Sequence, residues 1–268
     1  ASSRQATPEP DIKTTTHKEP MNLIIAHKTD LMRRVMHLVS HGYAYWIAGE
    51  IAPAKVDGFA LKCNDRYHTH RTEMQRYRAK KKGEANTQLV MWQDQTAKNA
   101  PVHWWLLATK GSGLVHELEK LTMIRDSRPT LTGYELVMTN RKRRDKDKPD
   151  RKLKPGWTWR MTAETFEGWK ERIKTAVRHN SDNQIRQALH SLGGVPGFRE
   201  CRAQARLLVR MLKNDWKRTQ KGEFPYPEPF ITFCGRHQKA KTITTQAASQ
   251  KARRKLRQAT RLSPAESG

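Results

Sequence analysis

Apolar residues in this chain come in short bursts, and the spacing within each burst predicts its element. Asn22 to Ala26 reads as a brief strand. Leu31, Val35 and Leu38 then share one face of a helix, capped by Thr29 or Asp30 and ended by Gly42. Tyr43 to Ile51 is rich in β-formers and alternates, which predicts a strand. Pro53 suits the first turn of a second helix, whose Val56, Phe59, Ala60, Cys63 and Tyr67 form a stripe to bury. The polar stretch from Arg66 to Gly83 has no such stripe. Thr87 to Gln93, Val102 to Thr109, Tyr134 to Thr139 and Trp157 to Met161 read as strands.

From Glu164 the period changes to that of a helix. Phe166, Trp169, Ile173 and Val177 share a face. Ser181 and Gln184 make a capping box for the next helix, which carries Ile185, Ala188, Leu189 and Leu192 and stops at Gly193-Gly194. A long helix follows, to about Arg218. Pro225, Pro227 and Pro229 break the chain ahead of a strand-like Phe230-Ile231-Thr232-Phe233. The pattern predicts an α+β protein. Residues 21–162 form the sheet domain, 163–222 a helical subdomain and 223–238 a strand returning to the sheet. Residues 1–20 and 239–268 lack an apolar period and are expected to be a disordered arm and a disordered basic tail.

Charge changes the picture most. Lys and Arg number 52 against 26 Asp and Glu, a formal net charge of +26. A compact protein with that charge repels itself, so a polyanion is the expected partner, nucleic acid foremost. No apolar run approaches the ~20 residues of a membrane span. No signal-peptide pattern opens the chain. Cys63, Cys201 and Cys234 are scattered and odd in number, with no zinc-ligand spacing. These features exclude integral membrane proteins and disulfide-framed secreted domains. The expected setting is the cytoplasm, with no metal and no cofactor.

Three clusters carry candidate chemistry. On the long helix, Arg202, Arg206, Arg210, Lys213 and Lys217 recur at spacings of four, four, three and four. A helix places them on one side within about 80°, a row fit to track a phosphate backbone. The loop from Arg141 to Pro155 holds nine Lys and Arg against three Asp, led by Arg141, Lys142, Arg143 and Arg144. It reads as a nucleic-acid clamp, a solvated hairpin tip or, in a eukaryotic chain, a localisation signal. Arg66-Tyr67-His68-Thr69-His70-Arg71 is the candidate for catalysis. Read as extended, it puts His68 and His70 on one face. Two imidazoles with Arg66 and Arg71 supply an acid, a base and fixed cations around a phosphodiester. The same residues also allow a basic loop without chemistry, or a weak version of the His-x-His metal pair of rolling-circle initiators and relaxases. In that last case Tyr67 or Tyr77 would be the nucleophile. His37 and His41 stand four apart without an obvious third ligand. Lys110-Gly111-Ser112-Gly113 lacks the full phosphate-loop pattern, which argues against an NTPase. Of the neighbours Trp104 and Trp105, alternation leaves one free to stack a base, and Trp104 is the candidate.

Further residues carry a resemblance. Gly133-Tyr134-Glu135-Leu136-Val137, Trp157-Thr158-Trp159-Arg160-Met161, Gly197-Phe198-Arg199 with Arg202 and Gln204, Trp216-Lys217-Arg218, and Pro225-Tyr226-Pro227-Glu228-Pro229 lie within about residues 100 to 240. This region resembles proteins of proteobacterial plasmids and integrative elements. In general build the chain also resembles the plasmid-borne type IV CRISPR crRNA-processing endonucleases of the repeat-associated RNA-binding superfamily. That resemblance implies a ferredoxin-like (RRM-like) sheet opening at residues 22–51 and a basic helical finger. It also implies a glycine-rich loop, matched loosely by Gly193 to Gly197. The implied activity is metal-independent endoribonuclease cleavage of a repeat hairpin, with a 2′,3′-cyclic phosphate product, retention of the RNA and CRISPR effector subunits as partners. The competing expectation is a non-enzymatic DNA-binding protein for plasmid replication, partition or transfer.

Overall fold

The computed structural model describes residues 23–97, 100–140, 155–220, 223–234 and 241–262. Strand β1 (Leu23–Ile25), helix α1 (Lys28–Ser40) and strand β2 (Tyr45–Ile51) open the chain, as the apolar spacing predicts. A 3-10 turn at Pro53–Lys55 leads into α2 (Val56–Tyr67), α3 (Glu73–Lys81) and the hairpin of β3 (Thr87–Gln93) with β4 (Val102–Ala108). Then come α4 (Leu114–Leu118), β5 (Thr122–Met123), β6 (Thr130–Leu131), β7 (Tyr134–Thr139) and β8 (Gly156–Met161). Helices α5 (Ala163–Arg178), α6 (Asp182–Gly193) and α7 (Arg199–Gln220) precede β9 (Thr242–Thr244) and α8 (Thr245–Leu262). The fold is α+β. Among the described residues no helix is long and apolar enough to cross a membrane.

The main sheet is six-stranded and mixed, in the order β5-β2-β4-β3-β1-β9. β1 and β3 run parallel; the other neighbours run antiparallel. Alternation along β4 sends Trp105 and Leu107 to one face and Val102, Trp104 and Leu106 to the other. The first face packs under Leu31, Met32, Val35 and Leu38 of α1. The second packs under Val56 and Ala60 of α2 and Ala248 of α8.

β7 and β8 do not join this sheet. They form a separate three-stranded sheet with β6, so the region 21–162 holds two sheets rather than one. α1 lies between the two sheets. Trp159 of β8 is buried against it and donates its indole N–H to the Met32 carbonyl at 2.8 Å. α5, α6 and α7 bury a second core through Ile173, Val177, Ile185, Leu189, Leu208 and Leu212. The Gln204 side chain locks α7 to β8. It accepts from the Met161 N–H at 2.7 Å and donates to the Met161 carbonyl at 3.2 Å, as a neighbouring strand would.

Several expectations need correction. α1 starts after His27, which makes no side-chain cap, instead of at Thr29 or Asp30. α3 was hidden because it buries only Ala79, yet Thr72 and Gln75 give it a full capping box. Residues 223–234 contain no strand. They run along α6 and α7, and the strand that returns to the sheet is β9, opposite β1. The segment expected to be a disordered tail therefore contains β9 and α8. Its helix escapes a search for apolar stripes because its inward face is small and polar. Thr245, Ala248 and Ser249 are buried there. Thr245 Oγ1 donates to Asp57 Oδ1 at 2.6 Å, and Ser249 Oγ donates to the Pro53 carbonyl at 3.1 Å. The arm at 1–20 and the basic loop at 141–154 lie outside the described residues.

Candidate nucleic-acid interface

The cationic row of α7 flanks the helix's buried side. Cys201, Ala205, Leu208, Val209 and Leu212 face the core. Arg206, Arg210 and Lys217 are exposed; Arg202 and Lys213 are half-buried. Residues 228–231 run alongside and close a groove of 470 Å³. It is lined by Arg202, Arg206, Arg210 and Lys213 with Glu228 and Phe230. Among the described residues, Glu228 is the one carboxylate lining the groove with those four cations, and it pairs with Lys213. The Arg202 guanidinium lies 5.4 Å from the centroid of Phe233, itself 67% exposed, a cation–π contact at the groove's end. The Arg202 Nε is buried with no hydrogen-bond partner among the described residues.

The wall opposite α7 is fixed at Gly197. The Cys234 N–H donates to the Gly197 carbonyl at 3.0 Å. A Cβ on Gly197 would sit 2.5 Å from the Cys234 nitrogen and 2.5 Å from the Thr232 oxygen, both backbone atoms. Gly197 therefore serves close chain packing, whereas a Cβ on Gly193 or Gly194 would meet nothing closer than 3.4 Å. Gly197→Ala is expected to lower stability by about 1–3 kcal/mol, typical of overpacking, and to weaken nucleic-acid binding by displacing residues 228–234. Urea unfolding and a binding titration measure the two effects.

The histidine segment is a turn, not an extended strand. His68 ends α2 at φ +54°, ψ +45°, the left-handed region where glycine is usual. The Arg71 N–H donates to the His68 carbonyl at 3.2 Å. Buried polar side chains of β3 hold this turn. Thr87 Oγ1 donates to the Tyr67 carbonyl, and Gln88 Nε2 donates to the Thr69 carbonyl at 3.2 Å. Arg34 in turn donates to Gln88 Oε1 at 2.7 Å. Arg76 of α3 donates to the Arg71 carbonyl at 2.6 Å. Side chains of β3 and α3 thus fix the backbone of the turn at Tyr67, Thr69 and Arg71.

His68, His70 and Arg71 line one cleft of 850 Å³, with Arg78 and Lys82 from the α3 side. Arg66 is not among its lining residues. It opens into a neighbouring hollow of 320 Å³, which shares His68, Arg71 and Glu84 with the first. Burial lowers the pKa of His70 below the usual histidine value, so its imidazole is neutral at pH 7 and free to take a proton. Arg71 is held by Glu84 at 2.9 Å and by the Ala85 carbonyl at 3.1 Å. Asp65 and Glu84 also line the cleft, so its cationic surplus is smaller than that of the α7 groove. Gln75, Arg78, Lys82 and Glu84 join the site because α3 folds back over the turn, which the sequence did not signal; Asp65 comes from the last turn of α2.

Other candidates sort differently. Trp104 is not an open stacking platform. Its ring packs 5.0 Å from Phe59 and lies across Gly49, under the α2 layer. Trp105 is buried. Tyr67 is also buried, with its hydroxyl donating to Glu119. Tyr77 is exposed beneath Lys81 and does not line the cleft. The His37 and His41 rings lie 4.1 Å apart, tilted by 36°. Among the described residues no cluster of three or more His, Cys, Asp or Glu could hold a metal. The Cys63 and Cys201 thiols are pushed up by burial to about 11 and about 12, far from a reactive thiolate. Arg141, Lys142, Arg143 and Arg144 lie outside the described residues.

Comparison with known proteins finds no matching family model, no matching curated protein and no matching solved structure.

Proposed function

We propose that this protein is an RNA-binding, metal-independent endoribonuclease. It holds the RNA backbone on α7 and cleaves a phosphodiester in the His68/His70 cleft. The observation that carries the reading is the α7 row itself. Four cations and one carboxylate line a groove of 470 Å³. The substrate proposed from the sequence resemblance is a structured precursor such as a CRISPR repeat hairpin, retained after cutting in a cytoplasmic complex. The ferredoxin-like reading of the sheet belongs to the same proposal. The run β9-β1-β3-β4 has that fold's alternation of one parallel and two antiparallel neighbours, although the chain reaches those strands in a different order.

The chemistry needs no group beyond the chain and the RNA. Neutral His70 takes the proton of the 2′-hydroxyl, whose oxygen attacks phosphorus. The bond to the 5′-oxygen breaks, and His68 as the acid protonates that leaving oxygen. A 2′,3′-cyclic phosphate and a 5′-hydroxyl result. Arg71, Arg78 and Lys82 stabilise the added negative charge.

Incubation of a hairpin RNA with the protein in EDTA is expected to give a product ending in a cyclic phosphate. A substrate with a 2′-deoxy nucleotide at the cut site is expected to stay intact. Loss of cleavage with chelator, or cutting of the deoxy substrate, rejects the mechanism. Tighter binding to duplex DNA than to RNA at equal salt would instead assign the α7 groove to a plasmid DNA-binding role.

A further inference from the structure

We propose that the ridge from Glu228 to Phe230 is a base platform. A strand whose phosphates lie along α7 turns one unpaired nucleobase over the Phe230 ring into the hollow on the ridge's far side. This rests on the reading of α7 as a phosphate track.

Glu228, Pro229 and Phe230 line both the basic groove and a second pocket of 500 Å³. Only one chain width therefore separates a cationic hollow from a largely apolar one. Phe230 stands on that divide with 83% of its surface exposed, so its ring is open to a flat ligand from either side. The far pocket is walled by Leu189, Gly193, Gly194 and Tyr226, with Arg186 and His190 as polar groups. The ridge packs on the end of α6 at Gly193, where a Cβ would lie 3.4 Å from Pro229. Arg186 is braced by Asp182 at 2.7 Å and lies over the Tyr226 ring at 5.1 Å.

Charge decides the occupant. A ligand spanning the ridge must put anionic groups among Arg202, Arg206 and Arg210 and a flat, apolar-faced group beside them. A single nucleic-acid strand has that arrangement at every nucleotide. A duplex does not, because its bases are stacked inward and cannot reach over the ridge.

The test uses the full chain and an unstructured RNA carrying 2-aminopurine, beside a blunt RNA duplex. Phe230→Ala is expected to weaken single-strand binding about tenfold, as loss of one stacking contact does, and to leave duplex binding unchanged. Quenching of the 2-aminopurine signal on binding is expected with the wild type and lost in the variant. Phe230 is exposed, so the variant folds. Unchanged affinity and quenching in Phe230→Ala, with binding abolished in Arg206→Glu/Arg210→Glu, overturns the platform and leaves the phosphate track standing. Undiminished binding in both variants overturns the track and the platform together. A wild type that sediments as a dimer while Phe230→Ala sediments as a monomer would give the ridge to a second copy of this chain and also overturns the proposal.

Discussion

The double variant Arg206→Glu/Arg210→Glu is expected to lose at least about a hundredfold in RNA affinity at physiological salt while folding like the wild type. Both side chains are exposed on the outer face of α7, and neither has a recorded ion-pair partner among the described residues. Reversing them changes the groove from three net positive charges to one net negative, counting Arg202, Lys213 and Glu228 with them. Backbone binding depends on counterion release, so each lost phosphate contact also flattens the salt dependence. Fluorescence anisotropy over a salt series reads both changes, and thermal unfolding checks the fold. Wild-type affinity with a wild-type salt slope would remove α7 from the interface.

The second large effect is expected at His68 and His70. His70→Ala should slow cleavage by about 10²–10⁴, the usual contribution of a general base, with RNA affinity unchanged. Because burial lowers the pKa of His70, the neutral base persists below the ordinary histidine range. The rate should therefore fall on acidification at a midpoint below ~6.5. His68→Gly separates chemistry from structure. A side chain held in the left-handed region costs about 1–2 kcal/mol, which glycine does not bear. This variant is expected to be at least as stable as the wild type and to lose cleavage. A stable His68→Gly protein that still cuts would show that His68 does not supply the leaving-group proton.

What could be read from the sequence follows from where each element finds its partners. α5, α6 and α7 were legible because their apolar residues repeat at helical spacing and meet one another within a short span of chain. The cationic row was legible for the same reason, since the face flanking Leu208 and Leu212 is fixed by period alone. α3 and α8 were not. One buries a single alanine, and the other packs through Thr245, Ala248 and Ser249, which look like surface residues until their hydrogen bonds are known. Phe230 to Phe233 has the composition of a strand, but it lies against α7 with two of its aromatic rings in solvent. Strand order was hidden because β1 pairs with β3 and β9, not with its sequence neighbour β2. The histidine cluster was visible as a local motif. Its cleft was not, because Glu84, Arg78 and Lys82 reach it through a reversal of the chain after Thr72.

The pairing of β9 with β1 sets Leu23 opposite Thr244. During synthesis the main sheet cannot be completed until residue 244 has left the ribosome. Until then β1 offers a row of unpaired amides and carbonyls to any other strand. Products halted before that point keep the edge of β1 open and are expected to aggregate more readily than the full chain.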